Sequence, residues 1–350
     1  MRIVIATTQV PFIYGGAEAL AAGLCNALHQ AGHQVETLRL PFRFFPEAEI
    51  ARNMAHWADE DLTRLNGYEP DRVICLKFPS YYLRHPHKTA WLLHQHRSVY
   101  ELWDEQPAHS AEACALRERI HAQDTRSLSE IAARFTISQT VCDRLQRYNG
   151  LSSTALYHPP PFADRIYSAP AESYIFFPSR LETLKRQSLL IRAMTQVRSP
   201  VVALLAGTGG QEPALRQLIA QEGLEQRVRL LGPIDEAMML ACYAHCLAVF
   251  FGPQDEDYGY VTLEAMLAAK PVITCTDSGG PLEFVQDGAT GRVVAPEPAA
   301  VAAAIDELHQ QRHQAAQLGQ QGRDHYHSLA ISWENVVSRL LSDDPSRMRP

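Results

Sequence analysis

The stretch LAVFFGPQDEDYGYVTLEAM, residues 247–266, runs from an apolar strand through a polar loop into a helix. Two glutamates stand eight positions apart in it: Glu256 lies in the loop, and Glu264 lies about one turn into the helix that begins near Gly259. Both carboxylates therefore flank a helix N-terminus, where unpaired amides and the helix dipole attract phosphate. A carboxylate beside such a site repels a bound anion, so its presence there implies a different role. We expect that role to be accepting hydrogen bonds from sugar hydroxyls.

The same alternation of strand and amphipathic helix continues on both sides of this stretch. In the N-terminal half the predicted strands are Ile3–Ala6, Val35–Leu38, Arg72–Leu76, Thr89–Leu93, Phe135–Ile137 and Thr154–Tyr157. In the C-terminal half they are Tyr174–Phe177, Val201–Ala206, Val228–Leu231, Ala248–Phe251, Val272–Cys275 and Arg292–Val294. Such alternation indicates parallel sheets that are covered by helices on both faces.

The segment His158–Phe162 interrupts this alternation with three consecutive prolines, which cannot donate to a sheet or continue a helix. We place the hinge between two domains here. The sequence predicts a first domain over residues 1–165, a second over 166–328, and a C-terminal helix and tail over 329–350 that packs back toward the first domain. The predicted fold class is α/β, with two Rossmann-like, doubly wound parallel sheets facing a central cleft. Residues 342–350 are predicted to be a frayed tail.

The composition excludes several classes of protein. Charged residues make up 20% of the 350, the formal net charge is −7, and no block of like charges occurs, so nucleic acid is not expected as a partner. The seven cysteines are scattered and odd in number, which is typical of reduced cytoplasmic thiols. No run reaches the roughly 18 apolar residues of a membrane span. A cytoplasmic protein is predicted, and peripheral contact with the inner face of a membrane is left open.

In the second domain, basic residues and glycines follow predicted strands, at the edge where parallel sheets collect their ligands. Arg180 and Lys185 come after its first strand, where two cations can neutralise a pyrophosphate, although a solvated basic loop is the alternative. Gly207 and Gly232 end the next two strands and let main-chain groups approach a nucleoside. Ordinary turns are the alternative there.

The first domain has two candidate sites at strand ends. Gly15 and Gly16 separate the first strand from the first helix, which leaves room for a ligand beside the helix amides, although such a pair is often structural. The run His94-Gln95-His96 closes another strand, where one imidazole can hydrogen-bond a sugar hydroxyl near the reacting carbon. A histidine bonded to the backbone is the alternative. A metal site is not expected, because spacing fixes no third ligand.

Two acidic triplets, Asp59-Glu60-Asp61 and Asp255-Glu256-Asp257, match the pattern Asp-x-Asp. In another transferase architecture this pattern chelates a divalent ion that is bound to a diphosphate, but such short matches are common by chance. We expect the first triplet on a solvated helix face. Beside the second, Arg180 and Lys185 offer a way to hold phosphate without metal. Neither a metal nor another cofactor is therefore expected.

Taken together, these residues resemble the family-four glycosyltransferases, which have the two-domain GT-B fold. The resemblance rests on the Glu-x7-Glu motif and on the motifs around it, which occur in the family's order over nearly the whole chain. The match is strong in the C-terminal half and looser from about residue 40 to 130. The matching segments are Gly15-Gly16-Ala17-Glu18, Arg180 with Lys185, Gly207-Thr208-Gly209, Leu231-Gly232, Leu263-Glu264-Ala265-Met266, Lys270-Pro271-Val272-Ile273, Gly279–Val285, Asp287-Gly288 and Gly291–Val294.

The resemblance implies transfer of a sugar from a nucleotide diphosphate sugar to a hydroxyl acceptor, with retention at the anomeric carbon and without metal. It implies that Arg180 and Lys185 grip the diphosphate and that Glu264 binds the ribose. His96 is the implied first-domain histidine at the donor sugar. Glu256 and the amides of Gly259, Tyr260 and Val261 are implied to hold the donor sugar and phosphate, with Gly15, Gly16, Gly207 and Gly232 as further nucleotide-sugar contacts. The implied acceptor is a glycan or glycolipid, as in cell-surface polysaccharide synthesis.

One departure from the family pattern affects the choice of sugar. Relatives usually have Gly-Phe-Gly after the first glutamate, whereas Asp257-Tyr258-Gly259 stands here. Asp257 adds negative charge beside an anion site, and Tyr258 adds a hydroxyl. We expect a UDP- or GDP-linked donor, and we therefore infer no particular sugar.

Other functions remain as alternatives. A phosphorylase or a nucleotide-sugar epimerase would have the same fold, and a non-catalytic nucleotide-sugar binding subunit would keep the same site. A nicotinamide-dependent oxidoreductase is disfavoured, because Gly15-Gly16 lacks the full Gly-x-Gly-x-x-Gly spacing. The acceptor is not identified by the sequence, nor is the oligomeric state. The aromatic residues Phe42, Phe44, Phe45, Trp57, Tyr81, Tyr82, Tyr100 and Trp103 can stack on sugars or meet a lipid-linked glycan, but such residues more often belong to the core.

Overall fold

A computed structural model describes residues 1–105 and 108–342, and the chain in it folds into two compact units. Unit 1 consists of Met1–His158 together with the segment that begins at Ser332, and unit 2 is Pro159–Ile331. These divisions lie a few residues from the predicted ones, because the prolines at 159–161 already leave the first sheet and Ser332 already caps the last helix. The predicted frayed tail beyond Ser342 lies outside the described residues.

Unit 1 contains a six-stranded sheet in which all neighbouring strands are parallel, in the order β2-β1-β3-β4-β5-β6. Its strands are β1 (Arg2–Gln9), β2 (Gln34–Pro41), β3 (Arg72–Cys75), β4 (Lys88–Leu92), β5 (Ala133–Thr136) and β6 (Thr154–Ala155). Its first helices are α1 (Gly16–Gln30), α2 (Glu47–Asp59), α3 (Ala111–Ser129) and α4 (Gln139–Asn149). All six predicted strands are confirmed, with ends shifted by a few residues.

Unit 2 repeats this architecture with a second parallel sheet, in the order β12-β11-β10-β7-β8-β9. Its strands are β7 (Tyr174–Pro178), β8 (Val202–Ala206), β9 (Val228–Gly232), β10 (Ala248–Phe250), β11 (Val272–Cys275) and β12 (Gly291–Val294). Its helices are α5 (Gln187–Met194), α6 (Glu212–Gln221), α7 (Glu236–His245), α8 (Tyr260–Leu267), α9 (Pro298–Gln310) and α10 (Arg312–Ser328). The predicted α/β class with two Rossmann-like sheets is confirmed.

The core of unit 2 is built on its central strands. Phe176 and Phe177 of β7 and Phe250 of β10 are fully buried, and the rings of Phe177 and Phe250 meet edge to face with centroids 5.3 Å apart. Each such ring stabilises the fold by about 1.5–3 kcal/mol through its burial. The strand ends that carry the candidate site therefore extend from a buried aromatic core.

A last helix, α11 (Trp333–Leu340), belongs to unit 1 although it follows unit 2 in the chain. The ring of Trp333 packs edge to face on Trp91 of β4, with centroids 6.4 Å apart, and lies so close to Gly23 of α1 that a Cβ there would be 2.3 Å from the ring. The carbonyl of Leu340 accepts hydrogen bonds from Arg72 Nη1 at 3.0 Å and from Thr89 Oγ1 at 3.3 Å. Helix α11 thus completes one face of the first sheet.

The structure corrects one expectation about unit 1 and separates the predicted aromatic residues into exposed and core residues. The triplet Asp59-Glu60-Asp61 is not a helix face, because α2 ends at Asp59 and Asp61 instead pairs with Arg84 in an isolated bridge. Among the aromatic residues, Phe44 and Phe45 are exposed. Five others are core residues: Phe42, Trp57, Tyr81, Tyr82 and Tyr100. Within residues 1–105 and 108–342, no helix is both long enough and apolar enough to cross a membrane.

Candidate functional site

The loop after β7 carries the two predicted diphosphate ligands of unit 2. Arg180 is exposed, and in the part of the chain that the structure describes its guanidinium has no ion-pair partner. Lys185 ends a short 3-10 helix, Thr183–Lys185, and is only 16% exposed. Its ammonium lies 2.5 Å from Glu256 Oε2 and 5.5 Å from the centroid of the Phe251 ring. The structure thus brings one predicted cation into contact with a predicted carboxylate.

Glycines set the path of this loop. At Gly207, which follows β8 and has a φ of +134°, a Cβ would lie 2.0 Å from the carbonyl oxygen of Ser179. The Gly207 amide donates to the carbonyl of Gly232 at 2.8 Å. The loops after β7, β8 and β9 are therefore joined through main-chain contacts, which only a residue without a side chain permits at this position.

Glu256 is held by main-chain hydrogen bonds to the loop after β11. Its amide donates to the carbonyl of Ser278 at 2.9 Å, and its carbonyl accepts from the amide of Gly280 at 2.8 Å. Gly279 has a φ of +71°, and a Cβ there would lie 2.6 Å from the Glu256 carbonyl oxygen. The glycine pair at 279–280 therefore lets two strand-end loops pack main chain against main chain.

Helix α8 begins directly after this loop. Gly259 is its N-terminal cap with a φ of +87°, and no side chain caps the helix there. Tyr258 is buried, and its ring meets those of Tyr260 and Phe284 edge to face, each with centroids 5.6 Å apart. The Tyr258 ring thus packs beside the first turn of α8, which includes the predicted residues Tyr260 and Val261. The amides of this turn form a helix N-terminus that can bind a ligand.

Glu264 lies in the second turn of α8 and is partly buried. Its Oε2 accepts a hydrogen bond from the hydroxyl of Tyr243, which is in the last turn of α7. Burial raises the pKa of Glu264 to about 7, and the Tyr243 hydrogen bond acts in the opposite direction. Within residues 1–105 and 108–342, no cation lies within ion-pair distance of this carboxylate.

Sequence reasoning missed a clamp beside the site. Arg186 donates from Nη2 to Asp277 Oδ1 at 2.7 Å and from Nη1 to Asp277 Oδ2 at 3.0 Å, and it also donates to the carbonyl of Pro253 at 2.5 Å. Because Asp277 follows β11 and Pro253 follows β10, this one guanidinium joins three strand-end loops. The position of Asp277 after a predicted strand was an available signal, since ligands and their supports collect at that edge.

Within unit 1, the predicted glycine pair starts α1. Gly15 is the N-terminal cap, and its amide donates to Glu18 Oε2 at 2.9 Å, while Gly16 is the first helical residue. The other carboxylate oxygen of Glu18 lies 3.5 Å from the ammonium of Lys77, which is 8% exposed. Burial lowers the pKa of Lys77, and Glu18 opposes that shift. A charged pair thus occupies the N-terminus of α1.

The predicted histidine of unit 1, His96, is buried in an aromatic cluster. Its ring stacks on Phe78 with centroids 5.0 Å apart and also contacts Phe42 and Phe44. Its Nε2 lies 3.1 Å from Ser98 Oγ. Burial lowers the pKa of His96 to about 4, with a further contribution from His94, so the imidazole is neutral at pH 7. A neutral ring can both donate and accept a hydrogen bond.

Over the described ranges, 1–105 and 108–342, no three His, Cys, Asp or Glu side chains are grouped so that they could hold a metal ion.

Comparison with known proteins shows what unit 2 resembles in sequence and gives the fold of the whole chain. Residues 164–325 match the family model of the glycosyl transferases group 1. The D-inositol 3-phosphate glycosyltransferase of Nocardia farcinica is 32% identical over 184 residues, which cover 49% of this chain and 40% of that protein. The human alpha-1,3/1,6-mannosyltransferase ALG2 is 29% identical over 161 residues, which cover 41% of this chain and 38% of that protein.

Solved structures match over almost the entire length. A sucrose-phosphate synthase from Thermosynechococcus elongatus superposes with a TM-score of 0.76 at 19% identity, covering 97% of this chain and 96% of that one. HepE of Anabaena, solved in complex with UDP and glucose, superposes with a TM-score of 0.68 at 18% identity, covering 97% of each chain. At such identities the likeness concerns the fold alone, whereas the family match rests on the sequence of unit 2. The chain thus has a GT-B fold, and its residues 164–325 are similar in sequence to the group 1 glycosyltransferases.

Proposed function

We propose that this protein is a retaining, metal-independent glycosyltransferase. It transfers a sugar from a UDP- or GDP-linked donor to a hydroxyl group of a glycan or glycolipid acceptor, as in cell-surface polysaccharide synthesis. The family match of residues 164–325 supports a glycosyltransferase. The chain covers 40% of the D-inositol 3-phosphate glycosyltransferase and 38% of the mannosyltransferase, so the donor and the acceptor are our inference. The proposal keeps the predicted cytoplasmic location and leaves peripheral membrane contact open.

One observation carries the proposal, namely the contact between Lys185 and Glu256 beside the start of α8. A cation, a carboxylate and a helix N-terminus without a side-chain cap meet there, and these groups match the parts of a sugar diphosphate. The ammonium and the helix amides suit phosphate oxygens, whereas the carboxylate suits sugar hydroxyls. Because Lys185 is paired with Glu256, the carboxylate does not leave uncompensated negative charge where phosphate would bind.

In the proposed reaction, the bond between the anomeric carbon and the diphosphate oxygen breaks as the acceptor oxygen bonds to that carbon from the same face. The proton of the acceptor hydroxyl passes to an oxygen of the departing diphosphate. Arg180 and Lys185 stabilise the charge that develops on this leaving group, and Glu264 holds the ribose. Removal of either cation should therefore lower kcat on the order of a hundredfold, as for other preorganised electrostatic groups.

A panel of UDP-, GDP- and ADP-linked sugars tests the proposal, because it predicts that the protein binds its donor and hydrolyses it slowly without acceptor. The purified protein is incubated with each sugar in EDTA, and release of nucleoside diphosphate and the anomeric configuration of transferred sugar are measured. Lys185→Ala should lose turnover, whereas Arg216→Ala on the exposed face of α6 should not. Failure to bind or turn over any of these donors would refute the proposal, and inversion or strict dependence on Mg²⁺ would refute the mechanism.

The alternatives predict other products from the same panel. An epimerase would convert the donor into its epimer without acceptor, and a phosphorylase would cleave a glycoside only when phosphate is added. A non-catalytic binding subunit would bind the donor without turnover, and Glu256→Ala would leave the cellular function unchanged.

A further inference from the structure

The side chain of Tyr243 is nearly enclosed, yet its hydroxyl reaches the carboxylate of Glu264. Tyr243 is 1% exposed, and its ring meets that of Phe176 edge to face, with centroids 5.1 Å apart at 89°. Phe176 is fully buried in the central strand β7, so the tyrosine ring packs on the core of unit 2. Its hydroxyl donates to Glu264 Oε2.

Among the residues that the structure describes, this is the one hydrogen bond that the Glu264 side chain makes. Oε2 receives the Tyr243 proton, while Oε1 accepts no hydrogen bond from residues 1–105 or 108–342 and is not enclosed by them. A glutamate side chain has three rotatable bonds, and ordering them costs conformational entropy. A fixed donor at one oxygen removes much of this cost in advance and leaves the other oxygen for a ligand.

We infer that Tyr243 is a positioning residue for the ribose of the donor: its hydroxyl orients the Glu264 carboxylate so that Oε1 accepts from ribose hydroxyls. This inference rests on the proposed function, because that function assigns the ribose to Glu264. Tyr243 itself touches neither donor nor acceptor in this arrangement. It acts through Glu264 alone.

The electrostatics of the pair agree with this geometry. Burial favours the neutral carboxyl of Glu264, and a neutral carboxyl is a weaker acceptor for ribose hydroxyls than a carboxylate. Donation from Tyr243 favours the carboxylate, because a hydrogen bond to a charged form stabilises that form. Tyr243 therefore supports both the orientation and the charge of the ribose acceptor.

A second buried tyrosine provides a matched control. Tyr174 lies in β7 of the same unit, is 8% exposed, and donates its hydroxyl to the backbone carbonyl of Cys242 at 2.9 Å. Removal of its hydroxyl deletes a buried hydrogen bond in which neither Tyr243 nor Glu264 takes part. Tyr174→Phe therefore reports the general cost of losing a tyrosine hydroxyl in this unit.

The experiment compares binding of nucleosides with and without ribose hydroxyls. UDP, GDP and ADP are titrated into the wild-type protein by calorimetry, and the tightest binder is compared with its 2′,3′-dideoxy counterpart in wild type, Tyr243→Phe and Tyr174→Phe. Tyr243→Phe should weaken binding of the ribonucleotide on the order of tenfold, as expected for a lost hydrogen bond to a charged group. Its affinity for the dideoxy nucleotide should change less than twofold, and Tyr174→Phe should change neither affinity.

The outcomes separate the inference from the proposed function. If the wild type binds none of the three diphosphates, the proposed function fails and the inference fails with it. Two results would overturn only the inference when the wild type binds one of the diphosphates. In the first, Tyr243→Phe binds that ribonucleotide as tightly as the wild type does. In the second, Tyr243→Phe loses affinity equally for the ribonucleotide and for its dideoxy counterpart. In a Glu264→Gln background, Tyr243→Phe should cause less than a twofold change, because the two residues act as a unit. If Tyr243→Phe still weakens ribonucleotide binding by the full factor in that background, the inference is overturned as well.

Discussion

Arg186 grips Asp277 with both terminal nitrogens, at 2.7 and 3.0 Å, and so ties the loop after β7 to the loop after β11. The same guanidinium reaches the carbonyl of Pro253 in the loop that leads to Glu256. The backbone supports this arrangement at some cost, because Arg186 has a φ of +55°, in the left-handed region. The loop that carries Lys185 and the loop that carries Glu256 are therefore fixed to one another by a residue outside the predicted site.

We expect Arg186→Gln to loosen both loops. The variant should lose about 1–2 kcal/mol of unfolding free energy, since it removes charge-assisted bonds that are partly screened by solvent. It should also raise the KM for the donor more than it lowers kcat. Urea unfolding and steady-state kinetics measure these effects. Arg216→Gln, which removes an exposed ion pair on α6, is the control and should change neither quantity. An unchanged KM in Arg186→Gln would contradict the expected role.

The contact between Gly279 and Glu256 makes a second prediction. In Gly279→Ala, the new Cβ would meet the Glu256 carbonyl at 2.6 Å, so the loop must move and both stability and activity should fall. Gly288→Ala is the control, because Gly288 has a similar φ of +70° but open space around its Cβ position. Backbone strain alone should cost the control about 1 kcal/mol and leave turnover unchanged. Thermal unfolding and donor turnover should therefore separate the two variants, and equal effects would argue against the steric explanation.

The buried carboxyl of Glu264 predicts a pH dependence of stability. Its pKa is about 7 in the folded protein and 4.5 in an unfolded chain, so the folded state binds more protons between these values. This stabilising contribution is complete below pH 4.5 and is lost as the pH rises through about 7. The unfolding free energy of the wild type minus that of Glu264→Gln should therefore fall by about 1–3 kcal/mol across this window.

Urea unfolding at several pH values between 4.5 and 8 measures this difference. Glu225→Gln, at an exposed position, is the control for the substitution itself. A difference that rises with pH in the Glu264 series would show that the carboxylate, and not the neutral acid, is favoured by the fold.

Helix α11 makes a prediction about unit 1. Trp333→Ala removes the ring that packs on Trp91 and Gly23, and should lower the unfolding free energy by about 3 kcal/mol. The exposed Met238→Ala should have little effect. Thermal unfolding monitored by tryptophan fluorescence measures the change. A midpoint within one degree of the wild-type value would mean that α11 contributes little to the fold of unit 1.

The two sheets could be predicted from the sequence because their strands are short, apolar and separated by helices with their own start and stop signals. Ile3–Ala6 and Val272–Cys275, for example, are buried throughout, and burial of both faces is what makes a strand continuously apolar. The strand ends were less predictable. Residues such as Pro178 and Gly232 extend β7 and β9 because a neighbouring strand supplies a partner, which no local pattern reports.

The parts of the candidate site that lie close together in the sequence were predictable. The strand, loop and helix at 247–267 follow one another directly, so Glu256 and Glu264 were correctly assigned to a loop and to a second helical turn. Contacts across the chain were not predictable in the same way. Lys185 and Glu256 are 71 positions apart, Arg186 and Asp277 are 91 apart, and no spacing in the sequence selects these partners over other charged residues.

Because the chain leaves unit 1 after His158 and returns to it at Ser332, unit 2 is an insertion within another unit. A single uninterrupted gene fragment can therefore encode unit 2, whereas no simple truncation yields unit 1 with α11 in place. Exchange of unit 2 between related proteins would require two junctions, one before Pro159 and one after Ile331. Any natural or engineered recombination of this protein is subject to the same double constraint.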